Sequence, residues 1–191
     1  MNQNQIHFQN WSQESYIKAY KFAAIAHHNQ TIPGSEMPYI MHLSFVSMEL
    51  IAALNVEKVA NPDLAIQCAV LHDTIEDTGI TLEQIKVEFG EASAKGVLAL
   101  TKDNSLAKHL QMADSLRRIK QQPPEVWMVK LADRISNLQA PPHYWSQEKI
   151  IKYREEAIEI YEALKDASPF LATRLASKIE DYKAYIHSED V

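Results

Sequence analysis

Leu71-His72-Asp73-Thr74-Ile75-Glu76-Asp77-Thr78-Gly79-Ile80 is the stretch on which the reading of this chain turns. It follows Ala65, Ile66, Cys68, Ala69, Val70 and Leu71, an apolar run that predicts a buried helix delivering the polar residues at its C-terminal end. Adjacent His72 and Asp73 at such an end offer one imidazole and one carboxylate to a single metal ion. Glu76 is four residues past His72, and Asp77 four past Asp73, so each pair can stack along a helix. Three carboxylates this close repel one another unless a cation is present. A His-Asp pair alone also fits a polar helix end leaving the core, with His72 a hydrogen-bonded core histidine. The rest of the chain decides between the two.

Two further polar islands interrupt apolar helices. One is Tyr39-Ile40-Met41-His42-Leu43, and the other runs from Val129-Lys130-Leu131-Ala132-Asp133 to Arg134-Ile135-Ser136-Asn137-Leu138. A carboxylate between Ala132 and Ile135 on a buried helix is costly unless it is paired or bound to a metal. Singly, His42 could bond a core carbonyl, and Asp133 could pair with Lys130 or Arg134. Together, His42, His72, Asp73 and Asp133 make an N,N,O,O set delivered by three helices, as metal sites in helical bundles are made. Four ligands leave positions open for water and substrate. Mixed imidazole and carboxylate donors suit Mn²⁺, Fe²⁺ or Zn²⁺.

Outward from these islands, the pattern predicts an all-α domain over residues 1–191. Helices are expected over 11–28, 38–55, from 62 into the central motif, 81–89, 91–101, 105–122, 125–139, 146–164 and 169–186, roughly nine in all. Pro62 and Pro169 suit first helical turns, Thr81 with Gln84 makes a capping box, and Gly90 is a stop. Glu148, Glu155, Glu156 and Glu159 mark a wet helix face. Only 4 glycines occur in 191 residues, which argues against a turn-rich β architecture and against a glycine-rich phosphate loop. The hydrophobic fraction of 46% and charged fraction of 23% are those of an ordinary globular chain. The single cysteine, Cys68, is expected to be an inert core thiol. Residues 1–10 are polar, without an apolar signal core, and no apolar run is long enough for a membrane span, so a cytoplasmic protein is expected. A net charge of −6 disfavours a nucleic-acid polymer as partner and leaves room for a small phosphorylated ligand. Oligomeric state is not readable from this pattern.

The order His42, His72-Asp73, Asp133 resembles the HD-domain phosphohydrolase superfamily. Pro38-Tyr39-Ile40-Met41-His42, the run His72 to Thr78, and Val129 to Leu138 resemble, more narrowly, the hydrolase domains of RelA/SpoT-type proteins. In size the chain is most similar to the stand-alone small alarmone hydrolases of the stringent response. The resemblance implies removal of the 3′-pyrophosphate of guanosine tetra- or pentaphosphate with one Mn²⁺ per chain. It implies that His42, His72, Asp73 and Asp133 bind the metal and that Glu76 and Asp77 orient or deprotonate the attacking water. Asn137, one turn past Asp133, and Lys130, one turn before it, would reach the same pocket. By similarity, Tyr39, Lys108, Lys149 and Tyr153 are candidate nucleotide contacts, the last two sharing a helix face.

Two other functions fit the same residues. One is an HD phosphohydrolase that releases orthophosphate from another nucleotide, and the other is a catalytically silent nucleotide-binding regulator. The chain also departs from its relatives, which usually carry basic residues before the Pro-Tyr-Ile segment. Here residues 30–37, Gln-Thr-Ile-Pro-Gly-Ser-Glu-Met, contain no Lys or Arg, and residues 104–112 keep only Lys108 and His109. Weaker binding of a highly charged nucleotide is expected.

Overall fold

Short-range signals set the helix starts. In the computed structural model, which describes residues 11–186, Ser12 caps α1 (Gln13–Ala26) by accepting from the Ser15 amide. Pro38 and Tyr39 form a turn before α2 (Ile40–Leu54). Asn61 caps α3 (Pro62–Leu71), with Pro62 at its first position. A single turn, α4 (Thr74–Asp77), follows. The Thr81–Gln84 capping box opens α5 (Leu82–Leu100), which breaks at Gly90, so the two helices expected there share one element with a kink. Then come α6 (Lys108–Ile119), α7 (Pro124–Asn137), α8 (Gln147–Leu164, capped by Ser146) and α9 (Pro169–Asp181, capped by Ser168). A 3₁₀ turn over Tyr182–Tyr185 takes the place of the last turn expected of α9. The expectation for residues 1–10 lies outside the described residues.

The bundle is built around α3 and α7. Leu64, Ala65, Ile66, Cys68, Ala69, Val70 and Leu71 of α3 are buried against α1, α2, α5 and α7. Almost the whole circumference of α7 is buried, between α2, α3, α8 and α9. A helix apolar on most of its faces belongs in a core, and its polar members must be satisfied there. Glu49 of α2, itself buried, pairs with Arg174 and ties α2 to α9. Burial pushes the Cys68 thiol up to about 12, with the Glu125 charge adding to it, so it stays an unreactive thiol. Among the described residues the one β pairing is an isolated antiparallel bridge between Thr31 and Pro38. No helix of the described residues is long and apolar enough to cross a membrane.

Two of the boundaries that differ from the sequence pattern bear on the site, each for a local reason. Helix α3 ends at Leu71, and Asp73 (φ −98°, ψ −2°) begins a new turn. The Thr74 hydroxyl takes the Leu71 carbonyl at 2.6 Å, a side-chain bond that competes with helix continuation. Glu76 therefore does not stack on His72 in one helix, whereas Asp77 keeps its backbone bond to Asp73 at 2.9 Å. The helix expected from 105 starts at Lys108, because the Ser105 amide and hydroxyl both donate to Asp103 Oδ1 and close a turn.

Gly90 has φ +88° and ψ 170°, a backbone region open essentially to glycine alone, while a Cβ there would meet nothing within 4 Å. Gly90→Ala should therefore cost about 1–3 kcal/mol through the backbone alone. An unchanged urea midpoint would show that the kink relaxes freely.

Candidate metal centre and substrate cavity

Three helices bring their polar islands to one point. His42 comes from the first turn of α2, His72 from the end of α3, and Asp133 from the buried α7. These three side chains are buried, and their ligating atoms lie within 4.8 Å of one another, a cluster that can hold a divalent cation. His42 Nε2 and His72 Nε2 are 3.3 Å apart. Asp133 Oδ1 is 3.5 Å from the former and 3.7 Å from the latter. Asp73 joins from the side, its Oδ2 2.8 Å from His72 Nε2 and 3.4 Å from His42 Nε2.

Each member is held by a partner. His72 Nδ1 lies 2.9 Å from the Ala69 carbonyl, so Nδ1 carries a proton and Nε2 faces the cluster. Ser136 Oγ is 3.4 Å from His42 Nδ1. Lys130 donates to Asp133 Oδ2 at 2.9 Å, and Asn137 donates to Asp133 Oδ1 at 2.6 Å. The Tyr39 hydroxyl donates to Asp73 Oδ2 at 2.6 Å and lies 3.3 Å from Asp77 Oδ2.

The electrostatics are those of a cation site whose positive charge is supplied by protons. Burial alone would push His72 down, yet the Asp73 carboxylate and a hydrogen bond to Asp133 push it up to about 10. Burial also opposes protonation of His42, and its bonds to Asp133 and Asp73 outweigh it. Burial would raise both carboxylates, but the His72 charge and the two imidazole bonds hold Asp73 well below the usual range. For Asp133, Lys130 and the same imidazoles do so. Two imidazoles and two carboxylates thus fit a divalent cation, which would replace those protons. Burial and the Asp73 charge push the Tyr39 phenol far up, so it stays a neutral donor. Burial, Asp73 and Glu76 raise Asp77 above an ordinary carboxylate.

A cavity opens beside the cluster, lined by Tyr39, His72, Asp73, Glu76, Asp77, Leu100, Lys102, Lys130, Asp133 and Asn137. Of the candidates read from the sequence, Tyr39, Lys130, Asn137, Glu76 and Asp77 are on this wall. Lys108, Lys149 and Tyr153 are not. Lys108 is exposed at the head of α6. Lys149 lies over the Trp145 ring at 4.0 Å, and Tyr153 packs against Trp145, Arg134 and Tyr182.

Sequence reasoning passed over two neighbours of the site. Lys102 lines the cavity and grips Glu76. His27 stacks on Tyr39 at 4.8 Å, while Gln30 bonds His27 Nδ1 and donates to the Asp77 carbonyl, both at 2.7 Å. A His three residues before a Gln at the end of α1 was the available signal for the second. The loop from Gln30 to Tyr39 is pinned by Ile32 N to Met37 O and Tyr39 N to Gln30 O, both 2.9 Å. Gly34 (φ +80°) lets it rest on the connection to α8, where a Cβ would sit 2.9 Å from Pro142 Cβ.

Comparison with known proteins agrees with this geometry. The HD domain family model matches residues 19–170, and the chain belongs to that family. Within it, the chain is similar to guanosine-3′,5′-bis(diphosphate) 3′-pyrophosphohydrolase MESH1 of Danio rerio, 30% identical over 164 residues covering 83% of this chain and 89% of the relative. It is 32% identical over 183 residues to the guanosine-3′,5′-bis(diphosphate) 3′-pyrophosphohydrolase of Aquifex aeolicus, covering 93% of this chain but only 25% of that longer relative. The fold matches a solved metazoan ortholog of SpoT that hydrolyzes ppGpp, with a TM-score of 0.79 at 24% identity over 91% of this chain and 98% of that one.

The pH dependence of metal binding follows from these charges. His72 is raised on folding from 6.5 to about 10, so its proton stabilises the metal-free chain fully below pH 6.5, and that contribution is lost by about pH 10. A cation competes with that proton, so the melting-temperature increase on adding Mn²⁺ should grow as pH rises from 6 towards 9. Asp133→Ala should abolish the increase at every pH. A metal-induced shift that is flat with pH, or intact in Asp133→Ala, would exclude these ligands.

Proposed function

We propose that the chain, acting as one HD-type domain over residues 1–191, is a metal-dependent hydrolase. It removes the 3′-pyrophosphate from guanosine 3′,5′-bis(diphosphate) or a related alarmone nucleotide in the cytoplasm. One observation carries this reading. The buried His-His-Asp cluster opens onto a cavity walled by Glu76 and Asp77, in a chain 30% identical to a relative named for that activity.

His42, His72, Asp73 and Asp133 hold one divalent ion, Mn²⁺ by preference over Fe²⁺ or Zn²⁺. When bound, that ion supplies a Lewis acid for phosphoryl oxygen and makes water a better acid. The chain's residues do the rest. Tyr39 links Asp73 and Asp77 through one hydroxyl, which donates to Asp73 and lies 3.3 Å from the Asp77 carboxylate. Glu76 and Asp77 orient the attacking water and take its proton. The water oxygen forms a bond to the phosphorus nearest the ribose, the bond from that phosphorus to the 3′ oxygen breaks, and the proton passes to the 3′ oxygen as pyrophosphate departs. Asn137 and Lys130 fix Asp133 and face the ribose and phosphates. Lys108, Lys149 and Tyr153 lie off the cavity wall, so the contacts that the resemblance implies for them would need parts of the nucleotide that project beyond the cavity.

A less highly charged nucleotide is the second reading, favoured by the cation-free loop 30–37. Incubating a nucleotide panel with Mn²⁺ and identifying both products separates the readings. Pyrophosphate and GDP from the tetraphosphate are expected, orthophosphate would indicate the second substrate class, and tight binding without turnover would indicate a silent regulator.

Glu76→Gln should keep metal and nucleotide binding and lower turnover by about 10²–10⁴-fold. Turnover within a few-fold of wild type would show that the water is activated by another group. Thr31→Arg, restoring a loop cation, should lower KM for the tetraphosphate by about tenfold or more with kcat little changed, as a new charge-assisted bond of about 1.5–3 kcal/mol requires. An unchanged KM would separate loop charge from selectivity.

A further inference from the structure

Both hydrogen bonds to the Glu76 carboxylate come from one residue, Lys102. Its backbone N–H donates to Oε2 at 2.8 Å, and its ammonium donates to Oε1 at 2.7 Å. The two residues are 26 apart in sequence, one on the turn α4 and the other just past the end of α5. The Glu76 side chain is 16% exposed and that of Lys102 45%, so the carboxylate is largely withdrawn from solvent while the lysine, also on the cavity wall, is about half exposed. Gripped at both oxygens, the carboxylate cannot rotate about its terminal bond, a torsion that is otherwise soft.

The backbone carrying Lys102 is itself held. Arg118 donates to the carbonyls of Leu98 at 2.7 Å, Ala99 at 3.0 Å and Thr101 at 2.7 Å, closing the free carbonyl end of α5. Asp114 takes the remaining side of that guanidinium at 2.7 Å. The other lysine on the cavity wall, Lys130, is bonded to Asp133 and so belongs to the metal cluster.

We propose that Lys102 is a positioning residue for Glu76. Its N–H and ammonium fix the orientation of the carboxylate across the cavity, on a backbone segment that Arg118 locks in place. The proposal rests on the reading of Glu76 as a group that orients water or takes its proton.

A double-mutant cycle tests this in the full chain, loaded with Mn²⁺ and assayed on guanosine 3′,5′-bis(diphosphate). Lys102→Met should lower kcat by about 10–100-fold, with KM and bound Mn²⁺ close to wild type, and Lys102→Arg should recover much of the loss. In a Glu76→Gln background, Lys102→Met should cause no further loss, because the lysine acts through that carboxylate. A rise in KM alone, or losses that multiply in the cycle, would overturn the proposal in favour of a direct substrate contact. A second readout needs no activity. In ¹³C-glutamate-labelled, metal-free protein, the Glu76 carboxyl signal, assigned with Glu76→Gln, should stand apart from the exposed glutamates and move towards them in Lys102→Met. A Glu76 signal already at the exposed position and unmoved by Lys102→Met would overturn the proposal. An inactive wild type that showed the distinct signal would overturn the enzymatic reading and leave the grip standing.

Discussion

Two imidazoles and two carboxylates meet between α2, α3 and α7, and the architecture around them answers to the cost of putting them there. Taking one charge out of water costs several kcal/mol unless an opposite charge and hydrogen bonds compensate it. Asp133 sits on a helix that is otherwise core, and Lys130 and Asn137, one turn to either side, are its compensation. His72 is anchored by the Ala69 carbonyl of its own helix, and Asp73 by a tyrosine phenol kept neutral by its surroundings. Without a cation, protons on the imidazoles balance the carboxylates. The buried charges of the cluster are thus compensated by one another.

What the sequence made legible was local. Thr81 with Gln84, and Ser168 with Pro169, each cap the helix they precede, because a cap involves residues only two or three apart. The convergence of His42, His72 and Asp133 was legible for a different reason, since each interrupts an apolar run and must find company inside. What stayed hidden depends on small local competitions with long-range effects. The helix ends at Leu71 because one threonine hydroxyl captures its carbonyl, and Glu76 consequently turns towards Lys102. Lys108 invited notice by the resemblance, inside a helix expected from 105, yet the turn closed by Asp103 and Ser105 delays that helix, and the cavity wall receives Lys102 instead. Periodicity places helices and their faces, but it does not say which of two cations six residues apart will look into a cleft.

The cavity carries more negative than positive side chains. Asp73, Glu76, Asp77 and Asp133 face Lys102 and Lys130, and both lysines are already engaged by carboxylates. An anionic ligand in such a place depends on a bound cation for much of its attraction, since the wall offers few positive charges that are free to turn towards it.

The contact of Gly34 with Pro142 has a consequence for how this protein can change. The loop before α2 is shaped by backbone bonds, a left-handed glycine and a proline on the facing connection, and none of these involves the side chains of Thr31, Glu36 or Met37. Its last residue, Tyr39, must nonetheless arrive at Asp73 with its hydroxyl in place. Outline and charge are therefore separable properties of one segment. Substitution can recolour this loop residue by residue, while the backbone course that delivers Tyr39 to Asp73 is inherited unmoved.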